Sequence, residues 1–198
     1  MTNAPYLLKK HRSGARLGHD TTYDHMFLDG LEDAYEEGRA MGTFALQTAN
    51  EYQLTREQMD DYSIESLRRA NAAIDSGAFE GEVVPVTFTT RAGEQTVDTD
   101  EAPGKGKPDK IPQLRPAFAK DGTITAATSS SISDGAAAVV LSRESIAKGN
   151  GQEPVAKIVA MAAHAQEPSE FTVAPVGAIE KVLKSAGWSA DEVDLWEV

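Results

Sequence analysis

Three consecutive serines, Ser129, Ser130 and Ser131, are the residues whose type and spacing first suggest chemistry. They could supply a nucleophile, bind a phosphate, or form a loop that precedes a buried strand. A hydrolase serine lies in a tight strand-to-helix turn flanked by glycines and needs an acid and a histidine downstream. No glycine precedes these serines, and His164 is the single histidine after them. The pattern therefore disfavours a Ser-His-Asp triad.

Other common sites also lack their sequence patterns. A dinucleotide site needs a strand, Gly-x-Gly-x-x-Gly and a helix, and a P-loop needs a Gly-Lys-Ser/Thr ending. Neither pattern occurs in the chain. The four histidines lie at none of the spacings typical of zinc ligands. We therefore predict no metal and no bound cofactor.

Two segments are basic within an acidic chain. Residues 9–16 contain two lysines, two arginines and a histidine, and residues 101–112 contain Lys105, Lys107 and Lys110 among glycines and prolines. Such a cluster could be a solvated loop, or it could contact an anion or another subunit. The sequence leaves both alternatives open.

Composition limits the class of protein. The 198 residues carry a net charge of −12, which argues against nucleic acid as a partner. The apolar fraction of 40% is typical of a globular protein, and no apolar run is long enough for a membrane span. With no cysteine and no signal-peptide pattern, we expect a cytoplasmic location and neither disulfides nor thiol catalysis within this chain.

The elements that must position these residues begin with helices. A helix is predicted from Met41 to about Tyr52, and a second one begins after Thr55, where Gln58 completes a capping box. Gly77 is a typical helix stop. We expect the apolar residues of the second helix to face the core: Met59, Tyr62, Leu67, Ala70 and Ile74.

Strand patterns follow. Residues 82–90 and 95–98 predict a hairpin that turns at Ala92-Gly93. Residues 135–141 and 155–163 predict strands buried on both faces. A helix from Pro175 to about Ser185, closed by Gly187, precedes a last strand at 193–198. This order indicates an α/β fold, and we expect the chain to be cut in or after its last strand.

Several segments, in order along the whole chain, carry a resemblance to the thiolases, acyltransferases that make or split 3-oxoacyl-CoA thioesters. They are "MTNAPYLL" at the start, "DGLEDAY" with "AMGTFA" at 40–45, "LRPAFAKDGTITAA" at 114–127, "SSSISDGAAA" at 129–138 and "VDLWEV" at 193–198.

The resemblance implies a partial thiolase fold, an α/β architecture with layers in the order αβαβα and a helical and hairpin loop domain. It implies a coenzyme A-binding loop domain at 1–117, the end of the N-terminal half at 118–150 and the start of the C-terminal half at 151–198. Met1 would correspond to an internal methionine of the family. Thiolases use one cysteine as nucleophile and another for proton transfer, so we expect an internal fragment with no catalytic residue that is inactive alone.

The resemblance also implies residues that bind the substrate, coenzyme A and its acyl group. Met41 and Phe171 would lie near the acyl group, Phe118 and Ala126 beside pantetheine, and Lys105 near the nucleotide phosphates. Ser130 matches a serine that hydrogen-bonds a pantetheine amide, and Ser131 is its neighbour.

Two departures from the family pattern, Thr128-Ser129 and Ala40, leave the acyl chain length open. The intact protein is expected to be a homodimer or homotetramer. The alternative is a thiolase-like protein that binds coenzyme A esters, lipids or a partner without catalysis.

Overall fold

The computed structural model describes residues 2–198, which divide into two compact units. The first comprises residues up to 48 together with 132–198, and the second comprises residues 49–131. In chain order the elements are β1 (Tyr6–Leu7), β2 (Tyr23–Asp24), α1 (His25–Gly30), α2 (Met41–Glu51), α3 (Arg56–Asp75), β3 (Val86–Thr90), β4 (Gly93–Val97), α4 (Glu101–Lys105), α5 (Glu144–Gly149) and α6 (Ala174–Ala186), with 3-10 helices at Pro108–Gln113, Pro168–Glu170 and Ala190–Glu192.

Helix α3 confirms the predicted capping box. The Thr55 side chain accepts the Gln58 N–H at 3.2 Å, and the Gln58 side chain accepts the Thr55 N–H at 2.9 Å. The helix ends before Gly77, whose φ of +70° is the left-handed conformation that glycine adopts without strain. The predicted apolar face is wrong at Tyr62, which is exposed, because a phenol can keep its hydroxyl in water at a helix surface.

The predicted hairpin is also confirmed. Strands β3 and β4 pair antiparallel from Val86↔Val97 to Thr90↔Gly93. The turn is therefore at Arg91-Ala92 rather than Ala92-Gly93, and residues 82–85 lie outside the first strand. The first strand begins immediately after Pro85, which has no N–H to donate to a ladder. At the other end of the chain, α6 has a proline in its first turn and ends at Gly187 in the left-handed conformation, as predicted.

The two predicted buried strands and the predicted last strand are wrong as descriptions of this structure. Residues 135–141, 155–163 and 193–198 form no strand, and Val140 is 99% exposed. A strand is stable only when neighbours satisfy its N–H and C=O groups. Residues 2–198 supply no such neighbour for these segments, which therefore remain unpaired and open to solvent.

Few side chains are buried in either unit. Phe44 and Ala147 are buried in the first, and Ala49, Ile111 and Ile124 are the buried apolar residues of the second. The chain exposes 16473 Å² of surface, whereas a folded monomer of its mass exposes about 9,100 Å². Within residues 2–198, no helix combines the length and apolar character that crossing a bilayer requires.

Candidate functional site

The predicted site residues are divided between the two units. Met41 and Phe171 belong to the first unit, whereas Lys105, Phe118, Ala126, Ser130 and Ser131 belong to the second. Each group is held in place by its own set of contacts. The two sets differ in kind, since one is aromatic and the other is made of backbone and hydroxyl hydrogen bonds.

In the first unit, Phe44 connects the helix of Met41 to Phe171. Met41 is the first residue of α2, and its N–H donates to the Leu31 carbonyl at 2.9 Å. Phe44, one turn further along, is 1% exposed and meets the Phe171 ring edge-on, with 6.4 Å between centroids. Such T-shaped pairs are a favoured aromatic geometry. The contact places Phe171 against the helix that Met41 begins.

Two further interactions hold this contact. The Arg39 guanidinium lies 3.7 Å from the centroid of the Phe44 ring, within the range of a cation–π interaction. The Thr48 and Thr172 hydroxyl oxygens are 2.6 Å apart. Phe171 is therefore fixed in two ways. Its ring contacts Phe44, and the next residue in the chain, Thr172, is hydrogen-bonded to Thr48 of α2.

In the second unit, Thr125 organises the turn that precedes the serines. Thr125 is completely buried, and its N–H donates to the Thr128 hydroxyl at 2.8 Å. Its carbonyl accepts the Ser129 hydroxyl at 2.8 Å, and its own hydroxyl accepts the Ala127 N–H at 3.2 Å. Short polar side chains stabilise turns through local bonds of this kind. We call residues 125–129 the Thr125 turn.

The predicted pantetheine contacts lie on or beside the Thr125 turn. Phe118, Ala126, Ser130 and Ser131 are all exposed. A bond from the Ala117 N–H to the Ile124 carbonyl, at 2.9 Å, joins the Phe118 segment to the start of the turn. Within residues 2–198 the Ser130 hydroxyl has no hydrogen-bond partner, so its donor and acceptor are both available to a ligand.

The second unit also carries a basic segment. Residues 105–120 include five lysines and arginines and one acidic residue. Lys105 is paired with Glu101 at 3.2 Å, whereas Lys107 and Lys110 are exposed and make no ion pair with any residue that the structure describes. Lys107 and Lys110 are therefore better placed than Lys105 to meet an anion. The Glu101–Lys105 pair has the i,i+4 spacing that favours ion pairs on a helix, so it could have been suspected from the sequence once α4 was recognised.

Other features of the described residues lie away from these groups. A cavity of about 290 Å³ between the end of α3 and the start of α4 contains none of the predicted site residues. The Arg68 and Arg69 guanidinium groups lower the pKa of Glu65 to about 2 on the exposed face of α3. Among residues 2–198, no three His, Cys, Asp or Glu side chains converge as metal ligands would.

Sequence analysis missed three residues that hold the site. Phe44 and Thr125 are buried contacts, and Arg56 binds carbonyl groups at 111–114. Phe44 could have been suspected from its position three residues after Met41, which places both on one helix face. No sequence signal connects Arg56 to residues 55 positions away, because only the fold brings them together.

Comparison with known proteins gives one consistent result. The "Thiolase, N-terminal domain" family matches residues 1–145, and the "Thiolase, C-terminal domain" family matches residues 152–198. A probable acetyl-CoA acetyltransferase of Dictyostelium discoideum is 44% identical over all of this chain and 48% of its own length. A mitochondrial acetyl-CoA acetyltransferase of Gibberella zeae is 42% identical over all of this chain and 46% of its own.

A solved structure agrees. The acetyl-CoA acetyltransferase of Bacillus anthracis superposes with a TM-score of 0.87 at 37% identity, over 96% of this chain and 48% of that protein. The fold is therefore that of part of an α/β thiolase. The chain spans about half the length of the curated relatives it matches.

Proposed function

The chain belongs to the thiolase family, and from this premise we propose that it is the coenzyme A-binding portion of an acyltransferase. The reaction would interconvert acyl-CoA plus acetyl-CoA with 3-oxoacyl-CoA plus free coenzyme A. The observation that carries the proposal is the exposed Ser130 hydroxyl, which is unpaired within residues 2–198 and follows directly on the Thr125 turn.

Pantetheine suits this surface chemically. It is a thin chain with amide groups, and such ligands bind in apolar troughs that offer a few fixed polar groups. Ser130 would bond one amide, while Phe118 and Ala126 would cover the methylene groups. Because the hydrogen bonds of Thr125 already order the turn, little conformational entropy would be lost on binding.

The nucleotide end of coenzyme A carries phosphates, which favour lysine and arginine. We propose that Lys107 and Lys110 contact them and that Lys105 contributes less, since Glu101 already pairs with it. For Met41 and Phe171, we propose contact with the acyl group. The fixed Phe44–Phe171 contact would then limit the acyl chain that fits.

The isolated chain is proposed to be inactive. The thiolase reaction uses a cysteine nucleophile and an acid/base cysteine, and this chain contains no cysteine. Its surface exceeds that of a folded monomer of the same mass by about 7,400 Å², and the relatives are about twice as long. We infer that further thiolase polypeptide covers the unpaired segments 135–141, 155–163 and 193–198 in the active enzyme.

A second candidate function is binding of coenzyme A esters without catalysis. The absence of cysteine favours it. The genomic sequence on either side of the reading frame separates the two candidates. A cysteine-bearing thiolase segment upstream would support the enzyme, and start and stop signals at the ends of this chain would support the binding protein.

Calorimetric titration of coenzyme A into the 198-residue chain tests the binding surface. Ser130→Ala should weaken binding about fivefold to tenfold, the usual effect of one lost hydrogen bond. Ser66→Ala, an exposed serine on α3, is the matched control and should leave binding unchanged. Absence of binding by the unchanged chain would refute the proposal. Thiolysis of acetoacetyl-CoA by the chain alone would refute its inactivity.

Phosphate contacts are tested separately with pantetheine, which lacks the nucleotide. Lys107→Gln and Lys110→Gln should weaken coenzyme A binding and leave pantetheine binding unchanged, with a smaller effect for Lys105→Gln. Equal effects of all three substitutions would contradict the distinction drawn from the Lys105–Glu101 pair.

For the intact enzyme we propose a homodimer or homotetramer in the cytoplasm. A mitochondrial location is the alternative, since the name of the Gibberella zeae relative includes one. Light scattering and organelle fractionation of the intact protein would test these proposals.

A further inference from the structure

Arg56, the first residue of α3, connects this helix to a distant segment of the second unit. Its Nε donates to Asp60 Oδ2 at 2.7 Å. Its Nη2 donates to the Ile111 carbonyl at 3.1 Å and to the Leu114 carbonyl at 3.0 Å, with the Pro112 carbonyl at 3.4 Å. One side chain therefore contacts three carbonyl groups of residues 111–114, about 55 residues away.

The Ile111 carbonyl also accepts the Leu114 N–H at 3.2 Å, whereas the Pro112 and Leu114 carbonyl groups accept no backbone N–H within this segment. They lie at and just after the end of the 3-10 helix Pro108–Gln113, where the last carbonyl groups lack helical partners. Pro112 has no N–H of its own. A planar guanidinium with five donors can serve the carbonyl groups and the Asp60 carboxylate together, which a lysine ammonium cannot do with the same geometry.

The contact is close in sequence to the Thr125 turn. Leu114 is three residues from Ala117, so at most about 10 Å of chain separates their Cα atoms. The Ala117 N–H is bonded to the Ile124 carbonyl at 2.9 Å, next to Thr125. A displacement of Leu114 would therefore be transmitted to the Thr125 turn through residues 115–117 and the hydrogen bond between Ala117 and Ile124.

We propose that Arg56 is a positioning residue for coenzyme A, because it orders residues 114–131, which carry Phe118, Ala126 and Ser130. The ligand in this inference rests on the proposed function. Arg56 itself contacts backbone and Asp60 rather than substrate. Asp60, which is buried, holds the guanidinium in the orientation that reaches the carbonyl groups.

Amide hydrogen exchange of the 198-residue chain tests this role without any ligand. In Arg56→Lys, amides within 114–131 should exchange about tenfold faster, as expected when hydrogen bonds from a charged donor are lost. Amides in the middle of α3, residues 62–72, should be unchanged. Arg69→Lys is the matched control, since Arg69 lies on the same helix and pairs with exposed Glu65. It should alter neither region.

Coenzyme A titration of the same variants supplies the second measurement. Arg56→Lys should weaken binding about fivefold or more, while Arg69→Lys should not. Should Arg56→Lys fail to fold, Asp60→Asn provides the second variant. It weakens the hold on the guanidinium and should accelerate the same amides to a smaller extent.

The outcomes separate the inference from the proposed function. Unchanged exchange within 114–131 in both variants would overturn the ordering role of Arg56. Faster exchange with unchanged coenzyme A affinity would overturn its positioning role. If the unchanged chain binds no coenzyme A, the proposed function fails and the ligand of this inference with it, whereas the exchange data still decide whether Arg56 orders residues 114–131.

Discussion

The Thr125 turn and the segment 135–141 are close in sequence, but they differ completely in hydrogen bonding and in burial. Thr125 is completely buried, and the residues that bond its N–H, carbonyl and hydroxyl lie within four positions of it. Val140 is 99% exposed, and its segment pairs with no strand of residues 2–198. The Thr125 turn is therefore stabilised by residues close in sequence, whereas the segment 135–141 would need a neighbouring strand.

This difference shows which parts of the chain can be structured independently. Turns and helices close their hydrogen bonds locally, so they do not depend on the rest of a sheet. Buried strands obtain both their hydrogen bonds and their apolar contacts from elsewhere in the chain. The candidate coenzyme A surface of the second unit belongs to the first kind.

The largest effect is expected at Phe44, where the first unit has its most buried large side chain. Phe44→Ala should lower the free energy of unfolding by about 3 kcal/mol, because it removes the contacts with Phe171 and Arg39 and leaves a cavity. Urea denaturation measures this change. Phe88→Ala, in the exposed hairpin, is the control and should cost less than about 1 kcal/mol. Similar losses of unfolding free energy in both variants would contradict the distinction between a packed α2 and an exposed hairpin.

Two threonines test the local character of the Thr125 turn. Thr125→Val should cost about 1–2 kcal/mol, because it leaves the Ala127 N–H without its partner. Thr123→Val should be neutral or stabilising by up to about 1 kcal/mol, because the buried Thr123 hydroxyl has no partner within residues 2–198. Unfolding in urea gives both values. Equal costs would show that burial alone, rather than hydrogen bonding, matters here.

A much smaller effect is expected in the segment 135–141. Val140→Asp should change the free energy of unfolding of the 198-residue chain by less than about 0.5 kcal/mol, as is usual for a surface position. In a full-length thiolase context the same substitution should be severe, because it would place a charge in a covered segment. A large loss in the 198-residue chain would mean that this segment is already buried in solution.

The smallest effect is expected from the ion pairs of α3. The Arg68 and Arg69 side chains bond Glu65 at 2.6 and 2.7 Å and lower its pKa from 4.5 to about 2. Since the folded pKa lies below the unfolded value, the stabilisation is present above pH 4.5 and lost as the pH falls toward 2. NMR titration of the Glu65 carboxyl measures the shift, and high salt should reduce it because the pair is exposed. A pKa near 4.5 would show that these pairs do not form.

Prediction from sequence succeeded where the signal is local. The Thr55–Gln58 capping box, the hairpin and the Gly187 helix end were all identified, because each depends on residues within a few positions. The hairpin turn lies at Arg91-Ala92, one residue before its predicted position. The strand at 135–141 was predicted from its apolar run. An apolar run indicates that a segment is suited to burial. A buried strand also needs a neighbouring strand, and residues 2–198 pair none with this segment.

The candidate site divides in the same way. Ser130 was singled out from its motif, and a binding role for its hydroxyl, which has no hydrogen-bond partner within residues 2–198, stays a prediction. Lys105 was singled out from its loop, but the structure pairs it with Glu101. Arg56 could not be found from sequence, because its carbonyl partners are determined by how α3 packs against the 3-10 helix Pro108–Gln113.

The large exposed surface of the chain also has a thermodynamic consequence. The urea m-value and the heat capacity change of unfolding both scale with the surface that unfolding newly exposes. With 16473 Å² already exposed when folded, unfolding would expose about two thirds of the surface expected for a complete domain of this mass. The isolated chain should therefore unfold over a broader urea range than its length suggests, and its calorimetric transition should have a correspondingly small heat capacity step.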